Sequence, residues 1–376
     1  MERAELVAVL RATGCAVERG GVFFLGDATA QQMVEGTSNI ERRASNAEVS
    51  EGGWLGIATG GTSGGVKFAR HDERTLMAAV RGFCEHFDIE RVNAVDVLPA
   101  YHVSGLMARV RCAETGGTHV GWSWKRLEAG ERPELEKGSG DWVVSLVPTQ
   151  LQRLLAAKEA VAWLRGFKVI LIGGGPVWAE LTEQAAANEL PLSLSYGMTE
   201  TAAMIAASKP EEFLAGARSC GAVLPHAVVS LNAEGVVSVA GESVFRGYWP
   251  EKSAARVFQT EDLGRFDERG HLHVLGRRDA VIITGGKKVQ PLEVEAALRA
   301  SGEFADVAVI GMPDAEWGEA VVAGYPAGGR EPDWARAVAR LAGALKPKRF
   351  VAIADWPRNE QGKINRGELR RLATAK

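Results

Sequence analysis

One short segment combines glycines, hydroxyl groups and a lysine in a way that suits phosphate binding. It reads Thr59-Gly60-Gly61-Thr62-Ser63-Gly64-Gly65-Val66-Lys67. Glycines let successive backbone N–H groups converge on an anion, the hydroxyls donate further hydrogen bonds, and the lysine adds a positive charge. The segment is not a Walker A loop, because that motif places Lys directly before Ser or Thr, whereas Phe68 follows Lys67 here. By itself, the composition would equally suit a flexible surface turn.

Four further segments carry groups suited to a nucleotide. Ile172-Gly173-Gly174-Gly175-Pro176 ends a predicted strand and opens a predicted helix with proline in its first turn, so bare backbone could lie against a flat ring or phosphate. Ser195-Tyr196-Gly197-Met198-Thr199-Glu200-Thr201 offers an aromatic face, hydroxyls and a carboxylate for Mg²⁺. Thr260-Glu261-Asp262-Leu263-Gly264 precedes a predicted hairpin and offers a carboxylate to both hydroxyls of a ribose. Gln361-Gly362-Lys363-Ile364-Asn365-Arg366 places a lysine in a polar turn, where a solvated side chain is the ordinary interpretation.

Size and composition restrict the class of protein. With 376 residues, the chain exceeds what one hydrophobic core usually serves, so two unequal domains are expected. Charged residues make up 24% of the chain and the net charge is -3, so neither nucleic acid nor an anionic membrane is an expected partner. The acidic N-terminus and the lack of a long apolar run predict no signal peptide and no membrane span, and we expect a cytoplasmic protein.

Short β-rich runs alternate with runs of helical spacing, which predicts an α/β fold. The large N-terminal domain, 1–276, is expected to contain a largely parallel sheet flanked by helices, with ligands beyond the carboxyl ends of its strands. Its predicted strands are 54–58, 92–98, 142–147 and 168–172. A small, mobile C-terminal α+β domain is predicted for 277–376. Its predicted helices are 291–300 and about 334–344, and its predicted strands are 307–310 and 350–354.

Together and in this order, the five segments resemble the signature of the adenylate-forming superfamily. That superfamily contains acyl-CoA synthetases, adenylation domains of nonribosomal peptide synthetases, and luciferases. The resemblance runs from about Trp54 to the C-terminus. It implies that a carboxylic acid reacts with ATP and Mg²⁺ to form an acyl-adenylate, which the thiol of coenzyme A then attacks.

The resemblance also implies roles for individual residues. The pyrophosphate would be bound by Thr59, Thr62, Ser63 and Lys67, and the α-phosphate by Thr199. The adenine would lie beside Gly174, Gly175 and Pro176, with Tyr196 stacked on it within the segment that includes Gly197 and Met198. The ribose would be bound by Asp262 with Arg277. Glu200 would hold Mg²⁺, Lys363 would be the catalytic lysine, and Asp279 would be the hinge of the small domain. Gly285 and Gly286 would line the channel for coenzyme A.

Three features depart from the family pattern. Val66 stands where relatives usually have proline, and Gly60 stands where they have a serine or similar residue, so the rigidity of the loop is expected to differ. Lys287-Lys288 replaces the common Glu-Asn pair after the two glycines of the channel. Most relatives carry on the order of 100 further residues ahead of the phosphate loop, a domain-sized difference. We therefore expect a compact form that lacks much of the first subdomain.

The acyl substrate is indicated by Pro99-Ala100-Tyr101-His102-Val103-Ser104-Gly105-Leu106, which resembles the acyl-pocket segment of o-succinylbenzoate:CoA ligases of menaquinone biosynthesis. In those relatives an arginine stands nine residues past the histidine, as Arg111 does here. Its planar fork suits a second carboxylate on the substrate, although an arginine that merely covers the helix surface would give the same spacing. The resemblance implies that the substrate contacts His102, Ser104, Arg111 and Thr201, with His102 also taking part in catalysis.

Other functions remain open at this level. The chain could be another aryl- or acyl-CoA ligase, a stand-alone protein that adenylates an amino acid or aryl acid, or an adenylate-binding protein without chemistry. The last alternative is disfavoured by the presence of both Lys363 and Glu200. An amino-acid substrate is disfavoured because the segment after His102 lacks an aspartate for an ammonium group. A homodimer is compatible with the sequence.

Overall fold

The computed structural model describes residues 1–36, 53–60, 66–136, 138, 140–251, 256–358 and 364–374. The α-helices in these ranges are α1 (Arg3–Ala12), α2 (Ala28–Gly36), α3 (Glu73–Phe87), α4 (Val103–Thr115), α5 (Trp124–Glu128), α6 (Pro148–Leu155), α7 (Lys158–Leu164), α8 (Ala179–Ala187), α9 (Pro210–Leu214), α10 (Pro291–Arg299), α11 (Trp334–Ala337) and α12 (Arg366–Thr374). Three short 3₁₀ turns cover Thr199–Thr201, Arg278–Ala280 and Gly343–Leu345.

In the described ranges, four sheets are formed by the following strands. They are β1 (Ala16–Arg19), β2 (Val22–Leu25), β3 (Leu55–Gly60), β4 (Val66–His71), β5 (Val92–Asp96), β6 (His119–Gly121), β7 (Asp141–Leu146), β8 (Val169–Ile172), β9 (Leu192–Met198), β10 (Ala203–Ala207), β11 (Ala222–Val223), β12 (Ala227–Leu231), β13 (Val236–Gly241), β14 (Val257–Phe266), β15 (Leu272–Arg277), β16 (Ile282–Thr284), β17 (Lys287–Val289), β18 (Ala308–Asp314), β19 (Gly318–Pro326) and β20 (Arg349–Ile353).

The largest sheet has seven strands in the order β11-β10-β9-β8-β7-β5-β6. Strands β6, β5, β7, β8 and β9 run parallel, whereas β10 and β11 add an antiparallel edge. The run Val169–Ile172 is buried at every position, because helices cover both faces of a parallel sheet. Helices α3 and α4 pack on one face, and α6, α7 and α8 pack on the other. This arrangement confirms the predicted α/β fold.

The glycine loop lies in a different place from the one predicted. Strand β3, which precedes it, pairs with β2 and β4 in a separate four-stranded sheet. The pairs Thr59↔Lys67 and Gly60↔Val66 close β3 and β4 into an antiparallel hairpin. The loop therefore connects two hairpin strands instead of following a strand of the parallel sheet. The β-rich residues on both sides of the loop explain this, since they pair with each other.

A third sheet, β12-β13-β14-β15, is antiparallel throughout. Asp262 was predicted to precede a hairpin, but it lies inside β14, where it pairs with Arg277 of β15. The segment 260–264 is therefore part of the first strand of the β14–β15 hairpin and not a separate stretch ahead of it.

The fourth sheet, β16 to β20, belongs to the C-terminal part of the chain, where α10 and α12 pack against it. A small α+β unit behind a larger α/β unit agrees with the predicted fold class. The boundary at 276/277 stays a prediction. The helix predicted for about 334–344 is shorter than expected, because it ends at Ala337 and Gly343 adopts a left-handed φ of 55°. None of the helices in the described ranges has the length and hydropathy needed to cross a membrane.

Candidate active site

Two of the segments that carry predicted nucleotide residues lie at one edge of the parallel sheet. Strand β8 pairs with β9 through Ile172↔Leu194 and with β7 through Leu146↔Ile172, so their carboxyl ends lie together. The 173–178 loop and the Thr199–Thr201 turn follow from β8 and β9 at this edge. Ligands of open α/β sheets bind at this edge.

The 173–178 loop offers bare backbone beside β9. Gly174 has a φ of 77°, a left-handed value that favours glycine, and a Cβ on Gly173 would come within 2.8 Å of Ser195 Oγ. Pro176 was predicted in the first helical turn, but α8 begins at Ala179. The residue before the helix, Trp178, is extended, so the loop is longer than predicted.

Tyr196 and Asp262 are brought together from two sheets. The Tyr196 hydroxyl donates to Oδ2 of Asp262 at 2.7 Å, and Arg277 Nη1 lies 3.5 Å from Asp262 Oδ1. Nε and Nη2 of Arg277 donate to the two carboxylate oxygens of Asp279 at 2.8 and 2.7 Å. Burial raises the pKa of both Tyr196 and Asp262. One arginine thus connects the carboxylate predicted at the ribose to the residue predicted at the hinge.

The turn at 199–201 is held by contacts from outside the parallel sheet. The carboxylate of Glu200 is buried, with 8% of the residue exposed, and its Oε1 accepts a hydrogen bond from the Tyr248 hydroxyl at 2.6 Å. The hydroxyl of Thr201 is buried and bonded to the backbone of Met198 and Ala203. The contact with substrate predicted for Thr201 stays a prediction.

His71 also holds this turn, a role that the sequence analysis missed. Its Nε2 lies 2.7 Å from the Thr199 carbonyl oxygen, and its Nδ1 lies 3.0 Å from Thr75 Oγ1. Burial lowers the pKa of His71 to about 4, so the ring is neutral at pH 7. Because a carbonyl can only accept, the proton of this neutral ring is on Nε2. A lone histidine at a strand end carries no distinguishing pattern, which explains why it escaped notice.

The phosphate loop and the catalytic-lysine turn are described only at their margins. Thr59 and Lys67 lie opposite each other in the β3–β4 hairpin, whereas Thr62, Ser63 and Lys363 lie outside the described residues. Beside Lys363, Arg358 and Ile364 form an isolated antiparallel bridge. The roles of these residues stay predictions.

The acyl-pocket segment leads into α4. His102 is the extended residue before the helix, and Ser104 lies in the first turn. The rings of His102 and Tyr101 pack edge to face, with 4.5 Å between the ring centres. A Cβ on Gly105 would approach the Pro99 carbonyl oxygen to 2.4 Å, so glycine allows the helix to start against this loop.

Arg111 lies deeper along the same helix. Only 2% of the residue is exposed, and its guanidinium carbon lies 4.1 Å from the centre of the Phe83 ring. Within the described part of the chain, no carboxylate pairs with Arg111, and its buried Nε has no hydrogen-bond partner. Burial lowers its pKa to about 10, so the group keeps its charge at pH 7. The alternative of an arginine that merely covers the helix surface does not agree with this burial.

The predicted channel glycines form the turn of the β16–β17 hairpin. Gly285 and Gly286 have left-handed φ values of 55° and 74°. A Cβ on Gly285 would lie 2.8 Å from the ring of Trp317, and the Lys348 ammonium lies 4.0 Å from the centre of that ring. Trp317 and Lys348 were not among the residues predicted from the sequence, although a large aromatic residue next to Gly318 was a signal. Trp317 is 37% exposed, which leaves a ring face and a cation beside the two glycines.

The residues present fit Mg²⁺ bound through substrate. No group of three or more His, Cys, Asp or Glu side chains in the described ranges is arranged as a metal site. Magnesium usually takes one or two carboxylates together with substrate phosphates and water. Glu200, a buried carboxylate beside the predicted phosphate residues, fits that pattern.

Comparison with known proteins gives two family matches and many relatives. Residues 54–249 match the family described as AMP-binding enzyme, and 293–363 match the AMP-binding enzyme C-terminal domain. A 2-succinylbenzoate–CoA ligase of Enterococcus faecalis is 31% identical over 326 residues, which are 81% of this chain and 67% of the relative. The same-named enzyme of Geobacillus kaustophilus is 33% identical over 310 residues, 75% of this chain and 61% of the relative. An indoleacetate–CoA ligase of Aromatoleum aromaticum is 30% identical over 344 residues, 85% and 67% of the two chains.

Solved structures of similar proteins agree with these matches. The o-succinylbenzoate CoA synthetase (MenE) of Bacillus subtilis in complex with the acyl-adenylate OSB-AMP has a TM-score of 0.73 and 27% identity, covering 84% of this chain and 68% of its own. The same enzyme in complex with ATP and a magnesium ion has a TM-score of 0.70 and 25% identity, and the match covers 84% of this chain and 69% of its own. The chain spans between 61% and 67% of the length of the curated relatives named above. Because the family match extends over more than half of its length, the chain belongs to the family of AMP-binding enzymes.

Proposed function

We propose that this protein is an AMP-forming acid:CoA ligase that acts on 2-succinylbenzoate. The relatives named 2-succinylbenzoate–CoA ligase support this activity. So does the similarity to the synthetase bound to its acyl-adenylate. The chemistry would use ATP, Mg²⁺ and coenzyme A.

The observation that carries the substrate assignment is the buried guanidinium of Arg111, which pairs with no carboxylate among the residues that the structure describes. A buried charge without a partner is costly, so proteins normally pair it or use it to bind an opposite charge. In the described residues the neighbours of Arg111 include Phe83, the thiols of Cys84 and Cys112, and the ring of His226, none of which is a carboxylate. A carboxylate on the substrate would supply the missing partner in two parallel hydrogen bonds.

The position of Arg111 along α4 suits a substrate with two acidic ends. Nine residues separate it from His102, which places it about 13 Å further along the helix axis. The first turn, with His102 and Ser104, lies near the edge where the nucleotide loops meet. A substrate carboxylate could therefore react at that edge while a second carboxylate reaches inward toward Arg111. A simple aromatic acid would leave the arginine unpaired.

In the first half-reaction, a carboxylate oxygen attacks the α-phosphorus of ATP and pyrophosphate departs. Lys67, Thr199 and Lys363 would donate to the phosphoryl oxygens as charge builds on them. Tyr196 and Asp262 would orient the adenosine. Magnesium held by Glu200 would neutralise charge on the phosphates.

In the second half-reaction, the thiol of coenzyme A attacks the carbonyl of the acyl-adenylate and AMP departs. The bare backbone of Gly285 and Gly286 would line the path of pantetheine. The exposed ring of Trp317 and the ammonium of Lys348 lie beside this hairpin and suit the nucleotide end of coenzyme A. A rotation about Asp279 would exchange the two arrangements of the small domain.

The test is a thioester assay with 2-succinylbenzoate, benzoate and indoleacetate, using wild type and Arg111→Met. Wild type should prefer 2-succinylbenzoate in kcat/KM. The variant should raise KM for that acid about 10- to 100-fold, since it loses charge-assisted hydrogen bonds, and leave KM for ATP unchanged. Arg109→Met is the matched control, because Arg109 lies two residues earlier and faces Asp96. It should leave KM for the acid within about threefold.

The second candidate is an aryl-CoA ligase for an acid with a single carboxylate, which the similarity to indoleacetate–CoA ligase favours. Equal kcat/KM values for indoleacetate and 2-succinylbenzoate would support this candidate and overturn the role of Arg111. Pyrophosphate release with any of these acids, but no thioester, would leave only an adenylating activity.

A further inference from the structure

Tyr248 lies where three parts of the molecule meet. The segment that contains it connects β13 to β14 and runs beside β4, where Ala69 and Tyr248 form an antiparallel bridge and Trp249 N–H donates to the Phe68 carbonyl at 2.8 Å. The same segment reaches the turn of the parallel sheet, since the Phe245 N–H donates to the Glu200 carbonyl at 2.8 Å. The backbone therefore holds Tyr248 in place from both sides.

The hydroxyl and the ring of Tyr248 contact two different charged groups. Its hydroxyl donates to Oε1 of Glu200 at 2.6 Å. Its ring lies below the ammonium of Lys67, whose Nζ is 5.2 Å from the ring centre. Glu200 is the carboxylate that fits Mg²⁺, and Lys67 is the cation of the phosphate loop. One side chain thus contacts both charged groups that the proposed reaction needs around the phosphates.

We propose that Tyr248 is a positioning residue for Mg·ATP, acting through Glu200 and Lys67; this rests on the proposed function. A carboxylate that accepts a hydrogen bond from the protein on one oxygen has a fixed orientation, and its other oxygen, Oε2, would then be available to a metal. The ring face attracts the Lys67 ammonium and restricts where its long side chain points. Tyr248 would contact neither the acid nor coenzyme A.

The chain provides a matched control, because Tyr196 forms the same kind of bond with a different carboxylate, Asp262, at 2.7 Å. Tyr248→Phe and Tyr196→Phe each remove one hydroxyl oxygen and keep the ring. Tyr248→Leu removes the ring as well, which separates the contact with Lys67 from the contact with Glu200. Thermal unfolding of each variant shows whether it is folded.

The first measurement is the affinity of Mn²⁺ for the enzyme in the presence of a non-hydrolysable ATP analogue. The paramagnetic resonance signal of free Mn²⁺ reports how much of the ion remains unbound. Loss of an outer partner of a metal ligand weakens metal affinity about 10- to 100-fold, and we expect a loss of this size in Tyr248→Phe. In Tyr196→Phe, Mn²⁺ affinity measured at saturating analogue should stay within about twofold, whereas the analogue itself should bind more weakly. Tyr248→Leu should add a two- to fivefold loss of analogue affinity, about the strength of an exposed cation–π contact.

The second measurement is single-turnover kinetics of the two half-reactions. Tyr248→Phe should need about 10- to 100-fold more Mg²⁺ for half-maximal adenylation. Thiolation of a supplied acyl-adenylate should not change. A Mn²⁺ affinity of folded Tyr248→Phe within twofold of wild type would overturn the proposal, as would an equal loss in Tyr196→Phe. If wild type binds Mn²⁺ and the analogue but forms no acyl-adenylate from any acid, the proposed function fails while the role of Tyr248 in metal binding is still decided.

Discussion

The hydroxyl of Tyr196 donates a hydrogen bond to Oδ2 of Asp262 across 2.7 Å, although 66 positions separate the two residues in the chain. Tyr196 belongs to β9 of the parallel sheet, and Asp262 belongs to β14 of the antiparallel sheet. The bond therefore joins two sheets at the point where the proposed adenine and ribose contacts meet. Arg277 extends this connection to Asp279, the proposed hinge.

Asp262→Asn should weaken nucleotide binding more than catalysis. The amide carries no charge and only one acceptor oxygen, so it would lose a charge-assisted contact with the ribose hydroxyls, and KM for ATP should rise about 10- to 100-fold. AMP binding measured by calorimetry should weaken by the same factor. Glu261→Gln is the control, because the neighbouring Glu261 pairs with Arg278 at the surface. Equal effects of both substitutions would contradict the assignment of Asp262 to the ribose.

Lys363→Ala should separate the two half-reactions. Removing a cation from the developing phosphoryl charge should slow adenylation about 10²- to 10³-fold, the effect of losing one oxyanion-hole donor. Thiolation of a supplied acyl-adenylate should stay within about tenfold, because the lysine would have turned away by then. Single-turnover kinetics of each step measure this. Equal losses in both steps would instead indicate one fixed active site.

Gly286→Leu should show the reverse pattern and slow thiolation while sparing adenylation. The space around a Cβ at Gly286 is open to 4 Å, so the side chain would extend into the proposed path of pantetheine. Gly328→Leu is the control for backbone strain, because Gly328 has a φ of 91° against 74° at Gly286 and is equally open. Unchanged thiolation in Gly286→Leu, measured with varied coenzyme A, would place the channel elsewhere.

Gly82→Ala should destabilise the protein although alanine is the better helix former. A Cβ at Gly82 of α3 would lie 1.9 Å from His226 Nδ1, closer than any allowed contact. Moving the ring aside should lower the free energy of unfolding by about 1 to 3 kcal/mol. Gly329→Ala, with no atom within 4 Å of the new Cβ, is the control for urea denaturation. A variant as stable as wild type would show that the His226 ring rearranges freely.

Stability should fall as pH decreases from about 6.5 toward 4, in part because of His226. Burial, with Arg111 and then Arg81 and His86 nearby, lowers the pKa of His226 to about 4 in the folded state. The unfolded state therefore binds more protons in this window, and folding loses at most about 3 kcal/mol from this group. His226→Gln should flatten the pH dependence of Tm, measured by calorimetry. An unchanged slope would show that other groups, such as His71, account for it.

The nucleotide chemistry was readable from the sequence because it depends on local residue types in a fixed order. The chemistry that each segment can do follows from residues close together in the chain. The segments are the glycine-rich loop at 59–67, the tyrosine beside a Thr-Glu pair at 196–200, and the strand with three glycines after it at 169–175. The family match confirms the superfamily and the α/β fold that these segments predicted. The helical spacing of α3 and α6 likewise follows from neighbouring residues alone.

Tertiary structure decided what depends on distant residues. Whether Arg111 covers a surface or lies buried depends on how α3 packs against α4, since Phe83 and Cys84 come from α3. The pairing of Tyr248 with Glu200 spans 48 positions and three sheets, and no local pattern marks either residue as a partner of the other. Asp262 was predicted to precede a hairpin, whereas it lies inside β14, because the pairing of this polar segment with β15 depends on residues further along the chain. Sequence specifies the groups that can do chemistry here, and the packing of sheets against one another determines which of them meet.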